Sequence, residues 1–348
     1  MKFAVTKEGE RLKKEKNIAM SAEITVDSGV IKAFRQKLID MGRKDLEAKL
    51  REDEPMKAHT SFRVGGPAQI YCEPSETGEI IDLISASKAV GLPFFLMGNG
   101  SNLVISDEGM DGLVIRLGES FSDIRSEDVP TDPDTVRIYA TAGTLLTRLS
   151  SFASKAGLSG LEFASGIPGS LGGAVFMNAG AYDHDMSEVV DKVVSVSPSG
   201  ERITWSGEDL QFGYRKSRFM TDEGIVAEVE LVLHRDDPQE ISSRIKTYTE
   251  KRTKSQPLQF PSAGSMFKRP TGYYTGALIE QAGLKGTSVG GAQVSEKHAG
   301  FVINTGNATA HDIDSLVRLI QKTIKEKFGV ELEREVRFIG RGFSSEVK

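Results

Sequence analysis

The sequence predicts a protein of mixed helices and strands that is divided into two or three domains. Its 348 residues are too many for one ordinary hydrophobic core. Apolar residues recur at helical spacing in some stretches and alternate with a period of two in others, and the two patterns follow one another along the chain. A polar stretch that contains a proline, RDDP at 235–238, interrupts this succession. We therefore expect a domain boundary near residue 236.

Helix and strand patterns alternate in the first part of the chain. Residues 1 to 28 are rich in Lys and Glu and predict an N-terminal extension. A helix follows, because Ile31, Phe34 and Leu38 recur at helical spacing until Gly42. Next, RVGGPAQIYCEP predicts a strand, GEIIDLISASKAVGL an amphipathic helix and PFFLMG a short buried strand. This order is a βαβ pattern.

A second series of elements precedes the expected boundary. DGLVIRLG and VRIYATAG predict two strands, and TLLTRLSSFASKAGLSG predicts a helix that ends at Gly157. KVVSVSPSGERITW predicts a hairpin that turns at Ser199 and Gly200.

A new helix begins after the boundary, and the clearest helix of the chain covers residues 311–328. Thr309 and Asp312 form a capping-box pattern at its start, and Gly329 follows its end. Its apolar face consists of Ile313, Leu316, Ile320, Ile324 and Phe328. The segment VELEREVRFIG then alternates with a period of two, which predicts a strand. One face of that strand would carry Val330, Leu332, Val336 and Phe338, and the other Glu331, Glu333 and Glu335.

The composition argues against several classes of protein. The net charge of -5 is spread without long runs, so nothing marks the chain as a binder of nucleic acid or of a membrane surface. No apolar stretch approaches the roughly 18 to 20 residues that span a bilayer. Cys72 is the only cysteine, which excludes an internal disulfide and favours a cytoplasmic location. His, Asp and Glu are not clustered at metal-ligand spacings, so we expect no catalytic metal.

Three segments are unusually rich in glycine: SFRVGGPA (61–68), GNGSN (98–102) and SGIPGSLGGAVFMNAGAY (165–182). Glycine lets backbone N–H groups converge on an anion, and small Ser and Asn side chains add donors. Together these loops could hold a pyrophosphate, although each alone could equally be a tight turn. No GxGxxG motif is present, which argues against a Rossmann dehydrogenase.

Seven motifs in a fixed order resemble the bacterial UDP-N-acetylenolpyruvoylglucosamine reductases over residues ~55 to 342. They are HTSFRVGGPA, GNGSNLVISDEG, GLEFASGIPGSLGGAVFMNAGAY, FGYRKSRF, PSAGSMFKRP, KHAGFVINTGNATA and LEREVRFIG. The resemblance implies an α+β fold. Residues 29–236 would form an FAD-binding region of the p-cresol methylhydroxylase/vanillyl-alcohol oxidase type, in two α+β subdomains. Residues 237–329 would form an α+β substrate-binding domain, and a C-terminal strand in 330–348 would return to the FAD site.

The resemblance also implies the cofactor and the residues that bind it. FAD would be non-covalent, because GNGSN and IPGSLGG lack the His or Cys through which some proteins of this wider fold attach it. The residues expected to bind FAD are Arg63, Gly65, Gly98, Asn99, Gly100, Ser101, Asn102, Ile167, Pro168, Gly169, Ser170, Gly172, Gly173 and Ala174.

By the same resemblance, Ser265 is the proton donor, and Arg215 and Glu335 stabilise the charge that develops. Reduction of an enolpyruvyl double bond needs a hydride and a proton, and a flavin supplies only the hydride. Without the resemblance, Ser265 is more simply a loop residue, Arg215 part of a surface basic cluster and Glu335 part of a solvated acidic face.

The implied substrates are UDP-N-acetylenolpyruvoylglucosamine and NADPH, and the implied product is UDP-N-acetylmuramate for peptidoglycan synthesis. Tyr214, Lys297 and Asn304 are the residues expected to bind the sugar nucleotide, the last two at its diphosphate. The short stretch after AGAY leaves little room for an inserted loop, so the chain resembles the shorter, second type of the family. Two alternatives stay open: a flavin oxidase or dehydrogenase of the same fold, and an inactive nucleotide-binding module.

Overall fold

The computed structural model of the protein describes residues 26–197, 199–221 and 224–343. Most of the predicted N-terminal extension, 1–28, lies outside the described residues. The α-helices of these ranges are α1 (Ser28–Asp40), α2 (Lys44–Glu47), α3 (Thr77–Val90), α4 (Leu146–Lys155), α5 (Leu171–Met177), α6 (Pro238–Ser255), α7 (Thr275–Gln281) and α8 (Ala310–Phe328).

The strands of the same ranges number seventeen and fall into five sheets. They are β1 (Arg51–Pro55), β2 (Pro67–Cys72), β3 (Phe94–Met97), β4 (Leu103–Ile105), β5 (Met110–Arg116), β6 (Ile124–Val129), β7 (Asp132–Thr141), β8 (Leu158–Ser159), β9 (Gly180–Ala181), β10 (His184–Asp185), β11 (Val190–Val196), β12 (Arg202–Ser206), β13 (Ile225–Arg235), β14 (Ser288–Val289), β15 (Ala292–Val294), β16 (Val302–Asn304) and β17 (Arg337–Ile339).

The first sheet has the strand order β1-β2-β5-β3. β2, β5 and β3 run parallel, and β1 is antiparallel to β2. Helix α3 connects β2 to β3 and buries Ile80, Leu83 and Ile84, and Gly91 ends it in the left-handed conformation with φ +71°. Because β2, β5 and β3 are parallel, the residues that follow them meet at one edge of the sheet, where open α/β sheets bind ligands.

The second sheet is antiparallel and has the order β12-β11-β13-β7-β6. Its central strand β13 alternates buried Val229, Leu231 and Leu233 with the partly exposed Glu228 and Glu230. Helix α5 packs against β13. Apolar residues from the first and second sheets belong to one continuous hydrophobic core.

The C-terminal part builds a smaller core. β14, β15 and β16 form an antiparallel sheet against which α8 packs, and α7 contacts α8. Helix α8 starts with a capping box: Thr309 accepts a hydrogen bond from the Asp312 amide and Asp312 accepts one from the Thr309 amide, each at 3.0 Å. The remaining amides of the first turn, those of Ala310 and His311, donate to the two carboxylate oxygens of Asp107 at 2.9 and 3.0 Å. Asp107 therefore joins the loop after β4 to the C-terminal core.

The last strand returns to the first part of the chain. β17 pairs in parallel with β4, which directly follows the GNGSN loop. The amide of Arg337 donates to the carbonyl of Asn102 at 3.1 Å. This pairing brings residues 335–339 beside the first glycine-rich loops.

The structure confirms most local predictions and corrects three. The helices over 28–40, 77–90, 146–155, 238–255 and 310–328, the capping box and the β11–β12 hairpin lie where the sequence predicts them. However, β6 and β13 have no counterpart among the predicted strands. PFFLMG is a strand, but Phe94, Phe95 and Leu96 are only half-buried, because they line a cavity. In VELEREVRFIG the predicted faces are correct, with Leu332, Val336 and Phe338 buried, but the regular strand covers only Arg337–Ile339.

Candidate active site

A cavity of about 1040 Å³ lies where the glycine-rich loops meet the segment after α6 and the approach to β17. Its volume is at the top of the ~300–1,000 Å³ range of small-molecule sites. The cavity is lined by all the residues predicted to bind FAD except Gly65. Gly65 instead packs beside Ile105, where an added Cβ would come within 3.0 Å of the Ile105 Cβ.

Two of the glycine-rich loops touch each other directly. A Cβ on Gly98 would overlap the hydroxyl of Ser170, so a side chain there would push GNGSN away from SGIPGSLGG. Asn99 also joins these two loops, because its Nδ2 donates to the carbonyl of Pro168 at 2.6 Å. The wall is therefore built mostly of backbone and small side chains, which fits the close approach of a pyrophosphate.

Two arginines that the sequence analysis missed also line the cavity. Arg252 lies on α6 and Arg337 on β17, and within the described ranges neither guanidinium forms an ion pair with a carboxylate. Burial lowers the pKa of both side chains below the ordinary arginine value, and Tyr182 partly offsets this for Arg252. Buried guanidinium groups without a carboxylate fit the phosphates of a nucleotide cofactor or substrate. The sequence could have indicated Arg337, because this residue follows Glu335 by two positions on the same face of the predicted strand.

Arg215 and Glu335 form an ion pair inside the cavity. Arg215 Nε lies 2.7 Å from Glu335 Oε1, and its Nη2 donates to the carbonyl of Gly180 at 3.3 Å. Arg215 sits in a tight turn closed by reciprocal hydrogen bonds between Gly213 and Lys216, of 3.0 and 3.1 Å. Its φ of +51° lies in the left-handed region, which costs a non-glycine residue energy and is concentrated at functional sites. The turn thus aims the guanidinium at Glu335.

Glu335 is fixed by its own backbone as well as by Arg215. Its amide donates to the carbonyl of Met266 at 2.9 Å, and its carbonyl accepts from Asn102 Nδ2 at 3.1 Å. Burial raises the pKa of the carboxyl above its ordinary value, against the opposing effects of Arg215 and Lys268. Glu335 therefore retains a proton to higher pH than an ordinary carboxyl does.

Ser265 lies on the segment next to Glu335. It pairs antiparallel with Phe301 on one side, and on the other side Phe267 pairs antiparallel with Arg334. Ser265 lines the cavity, and within the part of the chain that the structure describes its hydroxyl has no hydrogen-bond partner. The hydroxyl is thus available to a bound molecule. The structure brings Ser265, Arg215 and Glu335 to one cavity from three distant segments, while their roles stay a prediction.

The three residues predicted to bind the sugar nucleotide do not line the cavity. Lys297 Nζ donates to the carbonyl of Thr253, a lining residue, at 2.6 Å. Tyr214 is 59% exposed, and its hydroxyl accepts from the Arg269 amide at 3.2 Å. Asn304 is buried, and its amide is used by the backbone of Phe62, Gly306 and Ala308. These contacts give no support to a role for Asn304 at the diphosphate.

The described ranges contain neither a membrane-spanning helix nor a cluster of metal ligands. No helix there combines the length and apolar character that a membrane crossing requires. No group of three or more His, Cys, Asp and Glu in those ranges could hold a metal ion.

Comparisons with known proteins agree with this geometry. An FAD binding domain model matches residues 68–206, and a model of the C-terminal domain of UDP-N-acetylenolpyruvoylglucosamine reductase matches residues 256–339. The UDP-N-acetylenolpyruvoylglucosamine reductase of Caldanaerobacter subterraneus subsp. tengcongensis is 47% identical over 294 residues, which cover 84% of this chain and 95% of that protein. The enzyme of the same name from Clostridium tetani is 47% identical over 291 residues, covering 84% and 92%.

A solved structure extends the similarity to the fold. The crystal structure of UDP-N-acetylenolpyruvylglucosamine reductase (MurB) from Thermus caldophilus superimposes with a TM-score of 0.70 at 37% identity, covering 83% of this chain and 99% of that one. These matches confirm the prediction of an α+β protein with an FAD-binding fold, and the prediction that it is a flavin-dependent oxidoreductase. Since relatives nearly half identical span more than four fifths of the chain, this protein belongs to the UDP-N-acetylenolpyruvoylglucosamine reductase family.

Proposed function

We propose that the protein reduces the enolpyruvyl ether of UDP-N-acetylenolpyruvoylglucosamine to the lactyl ether of UDP-N-acetylmuramate, with bound FAD as cofactor and NADPH as reductant. The observation that carries this proposal is the Arg215–Glu335 ion pair, which shares one cavity with Ser265 and with the glycine-rich loops. The proposed reaction supplies a precursor of peptidoglycan and takes place in the cytoplasm.

The glycine-rich loops would hold the cofactor. GNGSN and residues 167–174 offer backbone amides and small polar side chains, and Arg63 lies on the same wall. When bound, FAD supplies the hydride for the methylene carbon of the enol ether. The side chains of the protein then have two tasks, to stabilise negative charge and to deliver a proton.

Arg215 stabilises the negative charge that develops next to the substrate carboxylate. A guanidinium stays protonated throughout, and its orientation is set before substrate arrives by Glu335 and by the carbonyl of Gly180. Such a preorganised cation costs no reorganisation at the moment of reaction.

Ser265 donates the proton to the carbon next to the methylene group, so that its O–H bond breaks as the new C–H bond forms. A serine is a weak acid and needs a neighbouring group from which to recover its proton. Glu335 is the carboxyl among the described residues that line the cavity, and burial raises its pKa above the ordinary value. Ser265 and Glu335 line the same cavity, and we assign Glu335 to the return of this proton.

The anionic substrates need cations in a protein whose net charge is -5. Arg252 and Arg337 supply two in the cavity. We assign them to the phosphates of the nucleotides, which occupy the site in turn: NADPH binds and leaves, and the sugar nucleotide then enters.

An anaerobic absorbance experiment tests the proposal. The purified protein should show a flavin spectrum that NADPH bleaches and that UDP-N-acetylenolpyruvoylglucosamine restores. A spectrum that stays bleached would refute the substrate assignment, and protein without flavin would refute the whole proposal. Rapid return of the colour with oxygen alone would favour a flavin oxidase.

The role of Ser265 has its own test. Ser265→Ala should bleach with NADPH almost as the wild type does, but should regain colour with substrate at least about a hundredfold more slowly, the usual contribution of a positioned acid. Ser288→Ala, in the exposed hairpin of the same predicted domain, is the control and should behave as wild type. Equal recovery in both variants would show that another group donates the proton.

A further inference from the structure

A hydrogen-bond network behind the cavity wall ends on the glycine-rich loop GNGSN. Arg116 is the last residue of β5, and its guanidinium has two partners. Nη1 donates to Glu73 Oε1 at 2.9 Å, and Nη2 donates to Asn99 Oδ1 at 3.4 Å. Asn99 in turn donates through Nδ2 to the carbonyl of Pro168 at 2.6 Å. One side chain outside the cavity lining is therefore linked to the contact between two lining loops.

The contacts with Arg116 and with the Pro168 carbonyl together decide which way the Asn99 amide points. An amide carries an acceptor and a donor group that nearly match in shape, so it can in principle be turned by 180°. If it were turned here, its NH2 group would face the guanidinium and its oxygen would face the Pro168 carbonyl. Both contacts would be repulsive. The guanidinium thus holds the oxygen toward itself and leaves the NH2 group to join GNGSN to residues 167–174.

The guanidinium is itself held in place. The hydroxyl of the fully buried Tyr71 donates to Glu73 Oε1, the same oxygen that Arg116 contacts. Tyr71 stacks on His59 with ring centroids 4.6 Å apart, and His59 lies 2.7 Å from Glu54 Oε1. Although burial of Glu73 opposes it, the hydrogen bonds from Tyr71 and Arg116 lower the pKa of Glu73, so the carboxylate stays charged.

These contacts come from the ends of parallel strands. Glu73 follows β2, Asn99 follows β3 and Arg116 ends β5, and the three strands are neighbours in the first sheet. Their order in the sheet, β2-β5-β3, puts the arginine between the carboxylate and the amide. The planar guanidinium fork presents one Nη atom to each partner in a fixed geometry, whereas a lysine has a single ammonium on a flexible stem.

We propose that Arg116 is a positioning residue for FAD, which acts by fixing the Asn99 amide so that GNGSN and residues 167–174 are joined before the cofactor binds. This inference rests on the proposed function, because it assigns these two loops to FAD. It assigns Arg116 no contact with FAD or with substrate.

The test measures the dissociation constant of FAD from the apoprotein by titration of flavin fluorescence. Arg116→Leu and Asn99→Ala should each weaken FAD binding about tenfold, as expected for the loss of one interaction with a charged group. The double variant should also be about tenfold weaker, rather than a hundredfold, because both changes break one and the same link. Arg116→Lys should resemble Arg116→Leu.

Three outcomes would overturn the proposal. Single variants that bind FAD as the wild type does would exclude any role, and a double variant weakened about a hundredfold would show independent effects. Wild-type affinity in Arg116→Lys would show that positive charge alone matters. Arg116→Lys and Asn99→Ala keep the test open even if Arg116→Leu does not fold.

A control separates this inference from general destabilisation and from the proposed function. Arg202→Leu removes an exposed ion pair with Glu228 on the second sheet and should leave FAD affinity unchanged. If wild-type protein binds no FAD, the proposed function fails. If it binds FAD tightly and the Asn99 and Arg116 variants do the same, only the positioning role fails.

Discussion

Removal of the Asp107 carboxylate should destabilise the protein through helix α8, although Asp107 lies more than 200 residues before that helix. The first turn of a helix has amides without intrahelical partners. In α8, the Thr309 side chain accepts from the Asp312 amide, and Asp107 accepts from the amides of Ala310 and His311. No other acceptor for these two amides is present among the described residues, so the substitution Asp107→Ala leaves both without a partner.

The expected decrease in the free energy of unfolding has two contributions. Loss of an N-terminal cap costs about 0.5 to 2 kcal/mol, and loss of a negative charge near the positive end of the helix dipole about 0.3 to 1 kcal/mol. Because Asp107 is solvent-exposed, we expect a decrease of about 1 to 2 kcal/mol in the free energy of unfolding. Asp107→Asn keeps one oxygen acceptor and should lose about half as much.

Urea denaturation followed by circular dichroism measures this difference. Asp111→Ala is the matched control, because Asp111 lies four residues later, at the start of β5, and forms an ion pair with the exposed Arg341 at 3.2 Å. Such pairs contribute only about 0 to 1 kcal/mol, so the control should lose about 0.5 kcal/mol or less. An Asp107→Ala protein as stable as Asp111→Ala would refute the capping argument.

Three further changes test the site. Arg215→Ala should lower kcat about 10² to 10³-fold with FAD still bound, because it removes a preorganised cation; retained kcat in steady-state assays would exclude that role. Gly98→Ala should weaken FAD binding, because its Cβ overlaps the Ser170 hydroxyl, and an added Ser170→Ala should restore part of the affinity in a flavin titration. The raised pKa of Glu335 means that the folded protein binds more protons than the unfolded chain above pH 4.5. The contribution of this group to stability is therefore complete below that pH and is lost as the pH rises through the raised pKa. Glu335→Gln should flatten this decline in denaturation curves measured above pH 4.5, and an unchanged slope would contradict the raised pKa.

The sequence correctly predicted the helices and turns whose ends are defined by residues close together in the chain. The capping box and Gly329 define both ends of α8, and the Ser199–Gly200 turn defines the β11–β12 hairpin. The burial of PFFLMG could not be predicted in this way. An apolar strand that lines a cofactor cavity has the same periodicity as one that lines a core, so the sequence could not separate the two.

The site depends on contacts between distant segments, and periodicity carries no information about those. Glu331, Glu333 and Glu335 share one face of an alternating segment, yet only Glu335 pairs with Arg215. Glu331 pairs with Lys325, and Glu333 pairs with Lys268. The motif resemblance singled out Ser265, Arg215 and Glu335. It did not single out Arg252, whose helix carries many charged side chains on its exposed faces.

The parallel pairing of β17 with β4 also has a consequence for how the enzyme is made. The two strands are separated by more than 230 residues, so a ribosome completes the glycine-rich loops long before it synthesises Glu335 and Arg337. Contacts of such long range form late in folding, because the entropy of closing the loop opposes them. A nascent chain could therefore have its FAD loops in place while it still lacks the Arg215–Glu335 pair, and it would become competent for reduction only when the last strand has docked.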